Sequence, residues 1–145
     1  MTTQTRIGAL AALEIAISAA TAVASIGFHR DPEKSVDATH DGVVIMRDGD
    51  PGSPEYILSP MSYSWEHQAS FEITASGKER EAAVEAVIAL FEPALAADRT
   101  LGGAVDDARI VLAPEIHEYP VDGAETERTA MLSVQLSYTT ATGAG

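Results

Sequence analysis

The sequence predicts an α+β domain, an antiparallel sheet with two main helices packed on one of its faces. Two observations carry that reading. From Ser62 to Thr74 the chain alternates without a fault. Tyr63, Trp65, His67, Ala69, Phe71 and Ile73 fall on one side, and Ser62, Ser64, Glu66, Gln68, Ser70, Glu72 and Thr74 on the other, which is the period of a strand with one dry face. Around this stretch the elements run helix, strands, helix, strands, an order that sets helices on one face of an antiparallel sheet. The alternating run is longer than the five or six residues of an ordinary strand. It can therefore pair with shorter strands before and after it and act as the spine of the sheet.

Length and composition set the outer bounds. With 145 residues the expectation is one domain, 1–145, with a core large enough to need neither disulfides nor metal. There is no cysteine, which excludes a disulfide framework, a thiolate metal site and a cysteine nucleophile. Nine basic residues stand against 22 acidic ones, a formal net charge of -13. That balance opposes tight binding to nucleic acid, where Lys and Arg must replace phosphate counterions, and to anionic membrane surfaces.

The N-terminal run from Ile7 to Phe28 carries one formal charge, Glu14, so a membrane span and a secretory signal both need weighing. Both are set aside. Arg6 alone makes a poor basic leader, the run is mostly alanine, and Glu14 near its middle would cost ~2 to 3 kcal/mol on insertion scales. At helical period, Leu10, Leu13, Ile17, Ala20 and Ala24 form a stripe suited to packing on a sheet. Gly27 fits the left-handed residue just past the helix end, with Phe28 after it.

The polar run His29 to Asp41 reads as a connection. Strands are predicted at Gly42 to Arg47 and Tyr56 to Leu58, separated by a loop from Asp48 to Pro54 rich in glycine and proline. Asp48 and Asp50 invite a calcium reading, but the loop lacks the glycine at position six and the glutamate at position twelve of an EF-hand. Solvated loop acids are the better account.

After the spine, Ser76 and Glu79 fit a capping box, and Val84, Val87, Ile88, Phe91 and Leu95 recur at helical spacing. Pro93 is expected to break that helix and open a second short piece, Pro93 to Asp98, with a kink between them. Further strands are predicted at Ala108 to Leu112 and Arg128 to Thr139. Between them Pro114 to Glu127, with Glu115, Glu118, Asp122, Glu125 and Glu127, reads as a projecting acidic connection. The tail, 139–145, is expected to fray.

Catalytic motifs are missing. There is no Gly-x-Gly-x-x-Gly, no phosphate-binding Gly-x-x-x-x-Gly-Lys, no Gly-x-Ser-x-Gly and no His-x-x-x-His. The histidines His29, His40, His67 and His117 are scattered, and His67 lies on the predicted core face, where a hydrogen-bonded structural role is the common one. Asp106 and Asp107 are adjacent, so in a strand they would face opposite ways. No catalytic, cofactor-binding or metal-ligating residue is predicted. An enzyme reading would need His67, Glu66 and Asp107 to converge in a cleft.

One segment stands out. Asp98, Arg99, Thr100, Leu101, Gly102 and Gly103 are followed by Val105, the acids Asp106 and Asp107, and a strand through Arg109 and Ile110. Physically this is a helix-to-strand elbow, with a glycine pair that permits a sharp turn. It also resembles the tail terminator proteins of long-tailed phages and phage-derived gene transfer agents. The wider layout is similar to theirs, with its Ala/Leu-rich first helix, the Val43 to Met46 strand with its acidic loop, the strand holding Trp65 to Gln68, and the closing Ser137 to Thr139. As a pattern the resemblance covers most of the chain, and as a motif residues 97–110.

The resemblance implies a structural virion protein and no enzyme. Such proteins form a six-membered ring on the head-side end of the tail tube, stop tube polymerisation and meet the head connector. The implied partners are other copies of the chain, the major tail tube protein and a head-tail connector or stopper protein, with DNA only passing through the lumen. The implied location is the neck of the virion tail, after assembly in the host cytoplasm. Other readings are a neck connector or tube subunit on a related scaffold and, from a different class, a small acidic hydrolase or ligand-binding domain. A ring needs one patch of each subunit to meet a different patch of its neighbour. The expected interface residues are Arg99, Leu101, Gly102, Gly103, Asp106, Asp107 and Arg109 at the elbow, and Asp48 and Asp50 in the acidic loop.

Overall fold

A computed structural model describes residues 4–58, 61–120, 123 and 125–145. In chain order the elements are α1 (Arg6–Val23), β1 (Gly27–Arg30), β2 (Val43–Asp50), β3 (Glu55–Leu58), β4 (Met61–Ser76), α2 (Arg80–Ala96), a 3-10 turn (Leu101–Gly103), β5 (Asp107–Ile110), β6 (Glu115–Tyr119) and β7 (Glu127–Thr140). They make an α+β fold. The strand order is β1-β2-β4-β7-β5, with β3 also on β4 and β6 also on β7.

β4 is the spine. One of its edges is taken by β7, which pairs antiparallel along its whole 14-residue length, from Tyr63 opposite Thr140 to Ser76 opposite Glu127. Along the other edge β2 and β3 take turns, both antiparallel. β5 and β6 likewise share the far edge of β7. Among the described strands only β1 is parallel to its neighbour, β2.

Alternation sorts the two faces. Trp65, His67, Ala69, Phe71 and Ile73 of β4 and Ala130, Leu132, Val134, Leu136 and Tyr138 of β7 are buried. Leu10, Leu13 and Ile17 of α1 and Val84, Val87, Phe91 and Leu95 of α2 join them in one core. Both helices thus lie on one face. Phe71 and Phe91 meet edge to face, ring centroids 5.0 Å apart, the preferred geometry for aromatic pairs.

Polar groups inside this core are paired, as burial requires. Trp65 Nε1 donates to Thr140 Oγ1 at 2.9 Å; on the opposite face of the sheet Thr74 and Thr129 join hydroxyls at 3.2 Å. His67 is fully buried. Its Nε2 faces the Asp48 carbonyl, which can only accept, so Nε2 carries the proton. Nδ1 then accepts from the Tyr138 hydroxyl at 2.8 Å. Burial pushes the Tyr138 phenol above its ordinary pKa, which keeps that donor protonated. His67 is a structural histidine that joins β2, β4 and β7.

Several sequence expectations are corrected. α1 stops at Val23, and the left-handed residue after it is Ser25, with φ 58°, not Gly27. Ser25 N–H reaches Ala22 O at 3.1 Å and Ile26 N–H reaches Thr21 O at 2.9 Å, the two bonds of a Schellman motif. Gly27 instead opens β1, whose last two residues, His29 and Arg30, fall in the expected connection. The buried stripe of α1 continues from Ile17 to Thr21, while Ala20 is half-buried and Ala24 exposed.

The capping box does not form. Ser76 ends β4, Gly77 turns with φ 92°, and Glu79 caps α2 without a side-chain bond. α2 also runs unbroken through Pro93 to Ala96. The carbonyl that Pro93 leaves without a donor belongs to Ala89, which is exposed, so water can serve it.

Asp48 and Asp50 lie within β2 rather than in a loop, at an irregularity in register between Arg47 and Asp50. Gly49 is required there, since a Cβ would fall 1.9 Å from the Gln68 carbonyl oxygen. The acidic connection after Pro114 contains β6, where Glu118 is held by Arg80 at 3.1 Å and Arg128 at 3.2 Å; Asp122 lies outside the described residues. The tail begins later than expected, because Thr139 and Thr140 belong to β7.

Two substitutions test this core. Phe71→Ala should lower unfolding free energy by ~3 to 5 kcal/mol in chemical denaturation; a loss near that of a surface change, below about 1 kcal/mol, would mean the buried face is wrongly assigned. Tyr138→Phe removes only the hydroxyl on His67 and should cost ~1 to 3 kcal/mol. A neutral result would show that His67 needs no donor there.

Candidate assembly interface at the elbow

The elbow between α2 and β5 is built by one carboxylate. Asp98 follows the helix end, and Oδ1 accepts from Thr100 N–H at 3.0 Å and Thr100 Oγ1 at 2.7 Å. Oδ2 accepts from Gly102 N–H at 2.8 Å. These bonds favour the charged form. The Thr100 hydroxyl, then the Gly102 and Thr100 amides, hold the Asp98 carboxyl below the usual carboxylate range.

Beyond it three residues in a row adopt positive φ, Leu101 at 49°, Gly102 at 72° and Gly103 at 92°. The glycines are needed for the backbone and not for space, because a Cβ on either would meet nothing within 4 Å. Leu101 pays the cost of a left-handed side-chain residue and packs against the core.

The flanks are tied down. Arg99 Nη1 donates to Ala108 O at 3.1 Å, and its Nη2 pairs with Glu92, so this arginine braces α2 to β5. Asp106 N–H reaches Ser137 O at 2.7 Å. Asp106 Oδ1 accepts from Gln4 at 3.0 Å and Oδ2 from Thr139 Oγ1 at 3.1 Å. Gln4 in turn accepts from Thr139 N–H at 2.8 Å. Asp107 accepts from Arg109 Nε at 2.7 Å. The elbow is thus a fixed surface whose tip, Gly102 and Gly103, is open.

The acidic pair is elsewhere. Asp48 Oδ1 accepts from Arg30 Nη2 at 3.0 Å, and Arg30 also holds Glu14 at 2.9 Å. Asp50 Oδ1 accepts from Gly52 N–H at 2.9 Å. Both acids sit on the β2 flank of the sheet, with β4 and β7 between them and the elbow. The expected interface residues therefore form two patches on opposite flanks.

The convergence that an enzyme reading needs is not made. His67 is buried on the helix face, whereas Glu66 points to the open face and accepts from Gln135 at 2.7 Å and Ser137 at 2.8 Å. Asp107 is in the same cross-strand row as Glu66, separated from it by Ser137. Among the described residues no group of three or more His, Asp or Glu is placed to hold a metal ion. Sequence reasoning passed over Asp98 as a builder of the elbow, although an aspartate two residues before a threonine is the signature of a side-chain-closed turn. The roles of Gln4 and Thr139 had no local signal, since they join residues more than a hundred positions apart.

A depressed carboxyl stabilises the state that depresses it above its ordinary pKa, and the contribution disappears as pH falls through the lowered value. The Asp98 side-chain carbon shift should accordingly titrate with a midpoint below the usual ~3.9 for aspartate. Gly102 amide exchange should accelerate through the same low-pH transition, and in Asp98→Ala already at neutral pH. A midpoint at or above the ordinary value would show that the cap is not formed in solution.

No protein-family model matches this chain, and no curated protein matches it. Among solved structures it is similar to a chain of the virion of a native gene transfer agent particle, at 13% identity over 89% of this chain and 96% of that one, with a TM-score of 0.45.

Proposed function

We propose that this protein is a structural component of a tailed virion or gene transfer agent, and specifically a tail terminator. In this reading it forms a ring on the head-side end of the tail tube, ends tube polymerisation and presents a surface to the head connector. The observation that carries the reading is the elbow. The residues whose sequence resembles the terminator family, Ala97 to Ile110, fold into a braced turn with an open tip. A fixed surface loses little entropy on binding, which suits a docking element. The separation of the elbow from the Asp48 and Asp50 flank also suits a ring, because a cyclic contact joins two different patches.

The chain catalyses nothing in this account. Its one buried histidine has both ring nitrogens engaged, and the acids that might have joined it lie on the other face of the sheet. The net charge of -13 serves the passage of DNA: an acidic wall repels phosphates and lets a duplex slide, an effect screened over ~8 Å at physiological salt.

Negative-stain imaging of the purified protein, alone and with tail tubes, tests the proposal. Rings alone, and tubes capped at one end that no longer lengthen when tube subunits are added, are the expected result. Tubes that keep growing with the protein bound at neither end would overturn the terminator role. Protein found only on head particles would assign it to the connector instead. Duplex DNA should show no appreciable retention at physiological salt, and measurable binding there would remove the sliding argument.

A further inference from the structure

The far edge of β7 is longer than the strands that cover it. Asp106 N–H reaches Ser137 O at 2.7 Å, and β5 pairs with β7 from Ser137 back to Val134. Backbone groups alternate sides along an antiparallel strand, so the next residue to face that edge is Thr139, past the start of β5. Its N–H needs an acceptor that β5 is too short to supply. Gln4 supplies it. Gln4 Oε1 accepts from Thr139 N–H at 2.8 Å, while Nε2 donates to Asp106 Oδ1 at 3.0 Å and to Gly103 O at 3.3 Å. Thr5 places this side chain. It caps α1 by accepting from Gly8 N–H at 3.0 Å, in extended conformation with φ -139° and ψ 158°, and Gln4 is the residue just before the cap. One carboxamide therefore joins the entry to α1, the elbow and β7.

We infer that Gln4 is a positioning residue of the elbow: its side chain takes the place of one more residue of β5, and through Asp106 and Gly103 it fixes the face that the elbow presents to a neighbour. Asp98 holds one arm of the elbow, through Thr100 and Gly102. Gln4 holds the other. Asp106 is gripped on both oxygens, Oδ1 by Gln4 and Oδ2 by Thr139 Oγ1. Gly103 has positive φ and open space where a Cβ would stand, so packing does not restrain it and glycine's conformational freedom is large. Its carbonyl is tied to Gln4 instead. Without that tie the arm would have to be ordered at the moment of binding, which weakens association. The same side chain covers an N–H at a sheet edge, where an open backbone group is a template for mispairing with another chain. The role deepens the assembly reading and rests on its premise that the elbow is a contact surface.

Amide exchange and sedimentation of three single variants and one double variant test it. Gln4→Ala removes a side chain outside the core and should melt with the wild type. Its Thr139 amide should exchange ~5- to 10-fold faster, the worth of one hydrogen bond, and its self-association should weaken ~3- to 10-fold, the cost of ordering a few groups on binding. Gln4→Glu keeps an acceptor for Thr139 but sets a carboxylate against Asp106, with the nearby Arg6 guanidinium held at the Ala144 carbonyl; it should weaken self-association at least as much. Adding Asp106→Asn to Gln4→Glu exchanges amide and carboxylate across the same hydrogen bond and should recover the loss. Asp106→Asn alone completes the cycle, so that a general gain from removing charge is subtracted. Self-association undiminished in Gln4→Ala, whether or not Thr139 exchanges faster, would overturn this role while leaving the elbow reading intact. A cycle without coupling between residues 4 and 106 would overturn it too. A wild type that stays monomeric at every concentration would instead sink the assembly reading, and the positioning role with it.

Discussion

Because side chains alternate along a strand, the pairing of β4 with β7 admits one register only, and most of the structure follows from it. A slip of one residue would turn Trp65, His67, Phe71 and Ile73 to the open face and bring Glu66 and Glu72 into the core. Hydrophobic area alone resists that slip. Polar side chains forbid it more sharply, because three pairs bridge these strands and each fits a single alignment: Trp65 with Thr140, His67 with Tyr138, and Thr74 with Thr129. His67 extends the lock to β2 through the Asp48 carbonyl, just where Gly49 and the altered register let β2 depart from regular pairing. The flank carrying Asp48 and the flank carrying the elbow are thereby held in one fixed relation through a buried imidazole.

What the sequence made legible is what repeats. The alternation of β4 and β7 extends over many residues, so their faces, the antiparallel sheet and the structural role of His67 could be read directly, as could most of the buried stripe of α2 and that of α1 from Leu10 to Ile17. What it hid is short or non-local. β1 has four residues and begins at a glycine whose other plausible role was to end α1; Ser25 took that role by accepting a positive φ. β6 looked like an acidic loop because Glu115 and Glu118 dominate it, yet Arg80 and Arg128 neutralise Glu118 from α2 and β7 and hold its pKa down. Pro93 would end a helix in isolation, but it falls on the exposed side of α2, where water can serve the carbonyl left without a donor. At the elbow, the glycine pair announced the turn. The clamp of Gln4, Thr139 and Asp106 depended on the two chain termini meeting, which no local pattern encodes.

The distribution of charge limits what can bind this surface. Every arginine is already engaged inside the chain: Arg6 with the Ala144 carbonyl, Arg30 with Glu14 and Asp48, Arg47 with Glu72, Arg80 and Arg128 with Glu118, Arg99 with Glu92, and Arg109 with Asp107. Exposed pairs of this kind contribute little stability one by one. Their effect on association is larger, because they occupy the arginines that would meet a neighbour's acids and leave Lys34 and Lys78 as the lysines exposed for that role. Arg99 in particular is spent on bracing α2 to β5, so reversing its charge would disturb the elbow itself before it disturbed any contact. With 22 acids against nine bases, the remaining carboxylates keep copies apart over most of their surface. A neighbour can approach where it supplies its own cations or where the surface carries no charge, and the outer side of α1, with Ile7, Ile15 and Val23 exposed, meets the second condition. Strong acidity and self-assembly are therefore compatible: repulsion over most of the surface leaves a few uncharged patches to set the geometry in which copies can meet.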